Sequence, residues 1–387
     1  MRYVISLTVL CLALSGLTLG YTLSTDPFGI FHNDSETELS RINQFWYMRT
    51  SKPLRLLRRQ PDMVIVGTSR TARLSPDRVG IEDGFNAALP GATAHEQRIT
   101  LAYAIDASAP ARAVIGLDFD AFRAGRETSR LGFNPALMRA EGAPSHWLNV
   151  ALTLKRLFFS TLAVQKSYEA THLAGQRRDD ARYQADGSWW RPIPQASADD
   201  FEGVGRQRLS AFRQSADAGL DMTEYRRLLQ LCQASALDCQ LLVTPVHVFD
   251  INLLSTSGLL PLWQQWHEQL VRINDEVAAE YGQRPIPLWG FNTFAPAVAE
   301  ALSTREDNSN PWFKDSIHFT PRFADLMLGT ITGQAGAGNG DTGIRLDQAS
   351  LPLYLDTITD LRQAFNVREK ASVDQLHTKL GLAPTSP

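Results

Sequence analysis

Five short apolar runs, each closed at once by turn residues, do most to limit what this chain can fold into. They are DMVIVGTS (62–69), GFNAALPG (84–91), ARAVIGLDFD (111–120), CQLLVTPV (239–246) and RPIPLWGF (284–291). Apolar runs of this length without polar alternation suit strands buried on both faces. Segments with helical spacing lie between them. EQRITLAYAIDAS covers 96–108, and Trp263, Trp266, Leu270, Ile273, Val277 and Tyr281 recur at three and four residues until Gly282 stops the helix. Asp221 and Glu224 form a capping-box pattern ahead of Tyr225, Leu228 and Leu229. Strands alternating with helices predict an α/β fold: a mainly parallel five-stranded sheet covered by helices on both faces. Ligands of such sheets sit beyond the carboxyl ends of the strands, which points to the residues just after the first, second and third runs.

The N-terminus imposes a second constraint. MRYVISLTVLCLALSGLTLGY carries Arg2 and then no charge until Asp26. A stretch of this kind reaches the length needed to cross a bilayer as a helix, on the order of 20 residues. Arg2 on the leading side predicts a cytoplasmic N-terminus and a periplasmic body, anchored to the inner membrane by residues 3–21. A signal peptide cleaved after Thr18-Leu19-Gly20 is the alternative. Leu10, directly before Cys11, does not suit lipid attachment. Both readings export the body, where Cys232 and Cys239 meet an oxidising compartment; a disulfide and two separately buried thiols both remain open. LCQASALDCQ brings no histidine and has the wrong spacing for a metal, and neither metal nor cofactor is expected.

With 387 residues, 44% hydrophobic and 20% charged, the chain can bury a large globular core. A net charge of -3 and the lack of a long basic run argue against nucleic acid as a partner. The pattern divides into an anchor (1–21), a connector with a helical lead-in (22–60) and an α/β domain (61–332). That domain holds an insertion at about 121–220, with one helix expected over 146–165. GQAGAGNGDTG (333–343) reads as a linker to a C-terminal helical extension ending at 387. An excursion as long as the insertion is usually functional or a covering element.

Two patches carry chemistry. Ser69 follows the first strand in VGTSR, and Asp315-Ser316-Ile317-His318 lies near the C-terminus. A hydroxyl needs a base to become a nucleophile, and a carboxylate three residues before a histidine can fix its tautomer. Alone, a serine after a strand is an ordinary turn residue, and the Asp and His an ordinary solvated loop. Together with Asn86-Ala-Ala-Leu-Pro-Gly91 after the second strand, these blocks resemble the SGNH (GDSL-like) hydrolase superfamily over roughly 62–325.

That resemblance implies a three-layer α/β/α sandwich and a catalytic triad of Ser69, Asp315 and His318. The oxyanion would be held by the Ser69 and Gly91 amides, with Arg70 as a further candidate. Thr68 stands where the family has Asp. After the third strand the family's Asn is replaced by Asp118, which accepts hydrogen bonds and cannot donate one when ionised. Asp118 and Asp120 also resemble the Asp-x-Asp of haloacid-dehalogenase phosphatases, although Phe122 does not fit that pattern.

Asn86, Asp118, His247, Trp189 and Trp190 are candidate substrate contacts. The bland readings are a structural carboxylate bonding loop amides for Asp118, a core histidine for His247 and a loop anchor for the two tryptophans. The expected activity is that of an esterase or O-acyltransferase (acetyltransferase) acting on a polysaccharide. The resemblance extends loosely to accessory proteins of exopolysaccharide O-acetylation and cell-wall D-alanylation, which implies a membrane-bound O-acyltransferase as partner. A binding module that kept the fold without the chemistry is the alternative.

Overall fold

The protein is described by a computed structural model, covering residues 1–31, 47–138, 146–172, 182–190, 198–214, 218–235, 237–302, 312–334 and 342–383. It is a mixed α/β structure built on a six-stranded, mostly parallel sheet. All five expected strands are present: β1 Met63–Val66, β2 Gly84–Asn86, β3 Arg112–Leu117, β6 Asp238–Val243 and β7 Leu288–Gly290. They pair in parallel in the order β2-β1-β3-β6-β7. Every residue of β1 is buried, as its unbroken apolar run requires.

The sixth strand corrects the sequence reading. β8, Ile344–Arg345, lies in the segment assigned to the C-terminal extension, yet it pairs antiparallel with β7. The helix Leu351–Arg368 then packs back, and the buried Tyr354 hydroxyl accepts the Asn292 amide at 3.3 Å. Residues 342–383 therefore belong to the same core as the sheet; residues 335–341 of the expected linker lie outside the described residues. Two residues are too short a strand to show a period, which is why the pattern hid it.

Strand order fixes where chemistry can occur. The chain steps from β1 to β2 on one side and then passes back over β1 to reach β3. The carboxyl end of β1 is thus the switch point of the sheet, where a crevice opens between connections leaving in opposite directions. Ser69 stands three residues past that strand.

Helix ends show where local signals held and failed. The helix Ala94–Ser108 starts on a full capping box, with Thr93 Oγ1 accepting the Glu96 amide and the Glu96 carboxylate reaching back to the Thr93 amide. The box expected at Asp221 does not form. Met222 is the N-cap of the helix Thr223–Ala234, Asp221 accepts the Thr223 amide, and Glu224 turns to Arg98 and Arg227. A salt bridge to a neighbouring helix outcompetes the reciprocal bond there. The helix expected over 146–165 is two, His146–Phe158 and Thr161–His172, bent by 60° at the break.

Cys232 and Cys239 form a disulfide joining the end of the helix Thr223–Ala234 to β6. With a sequence separation of 7, loop-closure entropy sets its contribution at about 2–3 kcal/mol. Urea unfolding of a Cys232→Ser/Cys239→Ser variant is expected to show a loss of that size. No difference from the parent under non-reducing conditions would mean that the bond does not form.

Candidate active site

Ser69 is presented by a turn that only glycine at 67 permits. A Cβ there would lie 2.4 Å from Thr71 Oγ1 and 2.6 Å from Thr71 Cβ, because the turn folds directly back on the strand end. The chain then enters a short 3₁₀ turn at Thr71–Arg73. The loop after β2 is laced to this turn, since the Leu89 amide donates to the Gly67 carbonyl at 2.9 Å. Gly91, two residues further, has φ +68° in the left-handed region that favours glycine.

The structure brings the first and last sequence blocks together. Ser69 Oγ lies 3.1 Å from His318 Nε2 across 249 residues of chain. His318 Nδ1 lies 2.8 Å from Asp315 Oδ2 and 3.0 Å from Oδ1. A carboxylate there fixes the proton on Nδ1 and leaves Nε2 to accept the serine proton. Asp315 Oδ1 also accepts the Ile317 and His318 amides at 3.0 and 2.8 Å. Burial alone would raise the Asp315 carboxyl, but the His318 ring and these amides outweigh it and hold it down at about 2. Asp315 is buried, whereas Ser69 and His318 are only partly so.

Several other candidates prove to be scaffold. Asn86 is fully buried; its Nδ2 donates to the Thr71 and Leu74 carbonyls and its Oδ1 accepts the Ala88 amide, so it secures the serine turn and touches no open space. His247 is a core histidine. Its Nδ1 caps the helix Val248–Thr256 by accepting the Phe249 amide, its Nε2 donates to the Glu300 carbonyl, and burial lowers it to about 4.

Arg70 is corrected as an oxyanion donor. Its guanidinium is buried and bonded inward to Asp118 at 3.0 Å and Asp120 at 3.3 Å. Asp118 in turn accepts the Thr68 and Thr244 hydroxyls and is a structural carboxylate, holding side chains where loop amides were expected. Both acids of the Asp-x-Asp pair are thus engaged by arginine.

Sequence reasoning missed what lies behind them. Arg208, on the helix Ala198–Gln214, pairs with Asp120 and is bidentate to Asp250 at 2.9 Å on each arm. Asp250 accepts Ser316 Oγ at 3.4 Å, and the Ser316 carbonyl accepts the His247 amide at 2.9 Å. A largely buried chain of alternating charge, with Asp120 its most exposed member, therefore runs from the residue after Ser69 to the loop that carries His318. No local signal marks Arg208, because only the fold brings its helix against the helix Val248–Thr256 and within reach of Asp120, past the end of β3.

The insertion contributes Trp189. β4 (Arg182–Tyr183) and β5 (Trp189–Trp190) form a two-stranded hairpin. It is tied to β2 by the Asn86 amide donating to the Asp186 carbonyl at 2.7 Å. A Cβ on Gly187, at the turn, would lie 2.4 Å from the Asn86 carbonyl oxygen, so the hairpin seats closely. Trp189 ends edge-on to His318, with centroids 6.2 Å apart and planes at 88°, and the Arg73 guanidinium stacks on it at 4.8 Å. Trp190 holds its place in β5, but its side chain lies outside the described residues.

Glu300 secures the approach to the histidine loop by accepting the Phe313 and Trp312 amides at 2.7 and 3.3 Å. Burial pushes its carboxyl from 4.5 up to about 8, against the pull of those amides and of Arg322. A raised carboxyl keeps in the folded state a proton that the unfolded chain has released, so stability falls as pH rises between those values. Urea midpoints are expected to decline over that window, and Glu300→Gln to remove this part of the slope.

Comparison of the chain with known protein families, with curated proteins and with solved structures finds no match in any of the three.

Proposed function

We propose that the protein is an SGNH-type Ser-His-Asp enzyme of acyl transfer: an esterase or O-acetyltransferase acting on an exported polysaccharide. The observation that carries this reading is the 3.1 Å contact between Ser69 Oγ and His318 Nε2, with Asp315 behind the ring. It falls within the roughly 2.6–3.2 Å over which a base can take a serine proton. Its position at the switch point supports it. Right-handed crossovers about the β2-β1-β3 order put successive helices on opposite faces, which favours the three-layer sandwich.

In this mechanism Ser69 Oγ attacks the ester carbonyl carbon while His318 Nε2 takes its proton. The tetrahedral oxyanion is held by the Ser69 and Gly91 amides. Collapse expels the alcohol, which receives the proton from His318, and leaves an acyl-Ser69 ester. Water or a sugar hydroxyl then attacks, with His318 again the base; water gives hydrolysis and the sugar gives transfer. Trp189, with Arg73 over its ring and His318 beside it, is the side chain placed to pack against a pyranose ring near the reacting group.

The N-terminal helix Arg2–Thr25 is long and apolar enough to be a membrane span or a signal sequence. We read it as an uncleaved inner-membrane anchor with the body in the periplasm, where the disulfide is at home. A membrane-bound O-acyltransferase is then the fitting source of acyl groups.

The test is a serine-reactive fluorophosphonate, with p-nitrophenyl acetate as activated ester, on the detergent-solubilised full chain. Labelling and turnover that both vanish in Ser69→Ala support an enzyme. A parent protein that neither labels nor turns over the ester would leave a glycan-binding module as the better reading. Acetylated oligosaccharide formed from an acetyl donor separates transfer from hydrolysis.

A further inference from the structure

We infer that the bent helix pair His146–Phe158 and Thr161–His172 lies in the bilayer interface, as a second membrane contact beside the N-terminal span. The inference rests on the reading of Arg2–Thr25 as an uncleaved anchor. The two helices together are apolar enough to enter a membrane, but the 60° bend and the short segments on either side do not form a straight crossing. They expose large apolar side chains together with Lys155, Arg156 and Gln165. Trp147, Leu148 and Leu152 on the first helix and Leu162, Val164 and Tyr168 on the second are exposed, Trp147 at 63% and Leu148 at 56%. Several large apolar side chains exposed on one helix pair mark a contact surface.

The attachment of the pair to the N-terminal helix argues for lipid as its cover. The pair is joined to the root of the span: Thr22 Oγ1 donates to the Phe158 carbonyl at 2.8 Å, and Thr25 Oγ1 to Ser167 Oγ at 2.6 Å. Beyond Thr25, Asp26 turns the chain by accepting the Ile30 and Phe31 amides, and Phe28 and Ile30 are buried against Val150, Phe158 and Ala163. A helix leaving this root into lipid carries the pair to the same membrane surface.

An apolar groove of about 450 Å³ opens between Leu19 and Leu23 of the span and Leu154, Phe158 and Phe159 of the pair. With the span in a bilayer, this groove lies beside the acyl chains. Charge agrees with this placement. Lys155 and Arg156 close the last turn of the first helix on its exposed side, within reach of lipid phosphates. The one carboxylate of the pair, Glu169, is tied to Lys166. Exposed Trp and Tyr beside basic residues are the composition of a membrane-water boundary. Held at two places, the body cannot swing on a single tether, and its active site keeps one orientation to the membrane.

The experiment is nitroxide scanning of the full chain in vesicles of phosphatidylethanolamine and phosphatidylglycerol. Cys11 is the free cysteine of the sequence and reports the span itself. In a Cys11→Ser background, labels at Leu148→Cys and Val164→Cys report the pair, and Leu353→Cys on the C-terminal helix reports water. Relative to the Leu353 label, collisions with oxygen at 148 and 164 are expected to rise several-fold and those with a water-soluble nickel chelate to fall several-fold. Water-like values at 148 and 164, with Cys11 in lipid, would overturn the interfacial placement and leave the anchor standing. A water-like Cys11 would overturn the anchor and this inference with it. Shielding of 148 and 164 from both relaxants would make the occupant a protein and refute lipid.

Discussion

Ser69→Ala is expected to lower kcat/KM for an activated ester by about 10⁴-fold, close to 5 kcal/mol of transition-state stabilisation, with the fold intact. The side chain is partly exposed and its one side-chain partner among the described residues is His318, itself partly exposed, so its loss leaves no fully buried group unsatisfied there. Asp315→Asn should cost about as much by a different route. An amide can donate to His318 Nδ1 and so turn the imidazole to the tautomer whose Nε2 already carries a proton. The two variants are separated by labelling: Ser69→Ala has no oxygen to label, whereas Asp315→Asn labels slowly. Full turnover in Ser69→Ala would end the catalytic reading. Asp315 also sets an acid limit. Its folded-state pKa is depressed from 3.8 to about 2, so its contribution to stability is present above the upper value and lost as pH falls towards the lower one.

Arg208→Ala is expected to be the most destabilising single change outside the apolar core. Arg208 is bonded to Asp120 and doubly to Asp250, and both carboxylates are fixed among buried groups. Removing one member of a buried ionic network leaves uncompensated charge, which costs about 3–5 kcal/mol. The arginine is held firmly protonated by its two acids, against burial, which works the other way. Urea or thermal unfolding of the solubilised chain measures the loss. Because Asp250 accepts Ser316 Oγ in the loop that carries His318, activity at low denaturant should fall as well. Arg208→Lys restores charge without the bidentate geometry and should recover part of the stability. A loss below 1 kcal/mol for Arg208→Ala would mean that the network is open to solvent.

These outcomes bear unequally on what could be read from residues alone. The five parallel strands were legible because a strand buried on both faces has to be a short apolar run with a turn at its end, and each such run is local. Ser69 and the Asp315-His318 pair were legible as types at the right ends of elements. Arg70 misled, since a guanidinium one residue from a nucleophile reads equally well as pointing out to substrate or in to a carboxylate. The choice was made by Asp118 and Asp120 on β3's loop, about fifty residues away. Asn86 misled in the same manner, whereas His247 is the core histidine that was the plainer of its two readings: polar residues at the carboxyl edge of a sheet also secure the loops that form that edge.

The sequence by itself determined the apolar N-terminal helix, the order of strands and helices and the placement of Ser69, Asp315 and His318 after their elements, because each depends on composition or spacing within a few residues. Tertiary structure alone decided that Ser69 meets His318 across 249 positions. It also decided that the insertion returns Trp189 to the imidazole, that the C-terminal segment adds β8, and that Arg208 neutralises the acids beneath the site. Those are contacts between segments far apart in the chain. Their partners are chosen by which surfaces close packing brings together, and no local pattern records that choice.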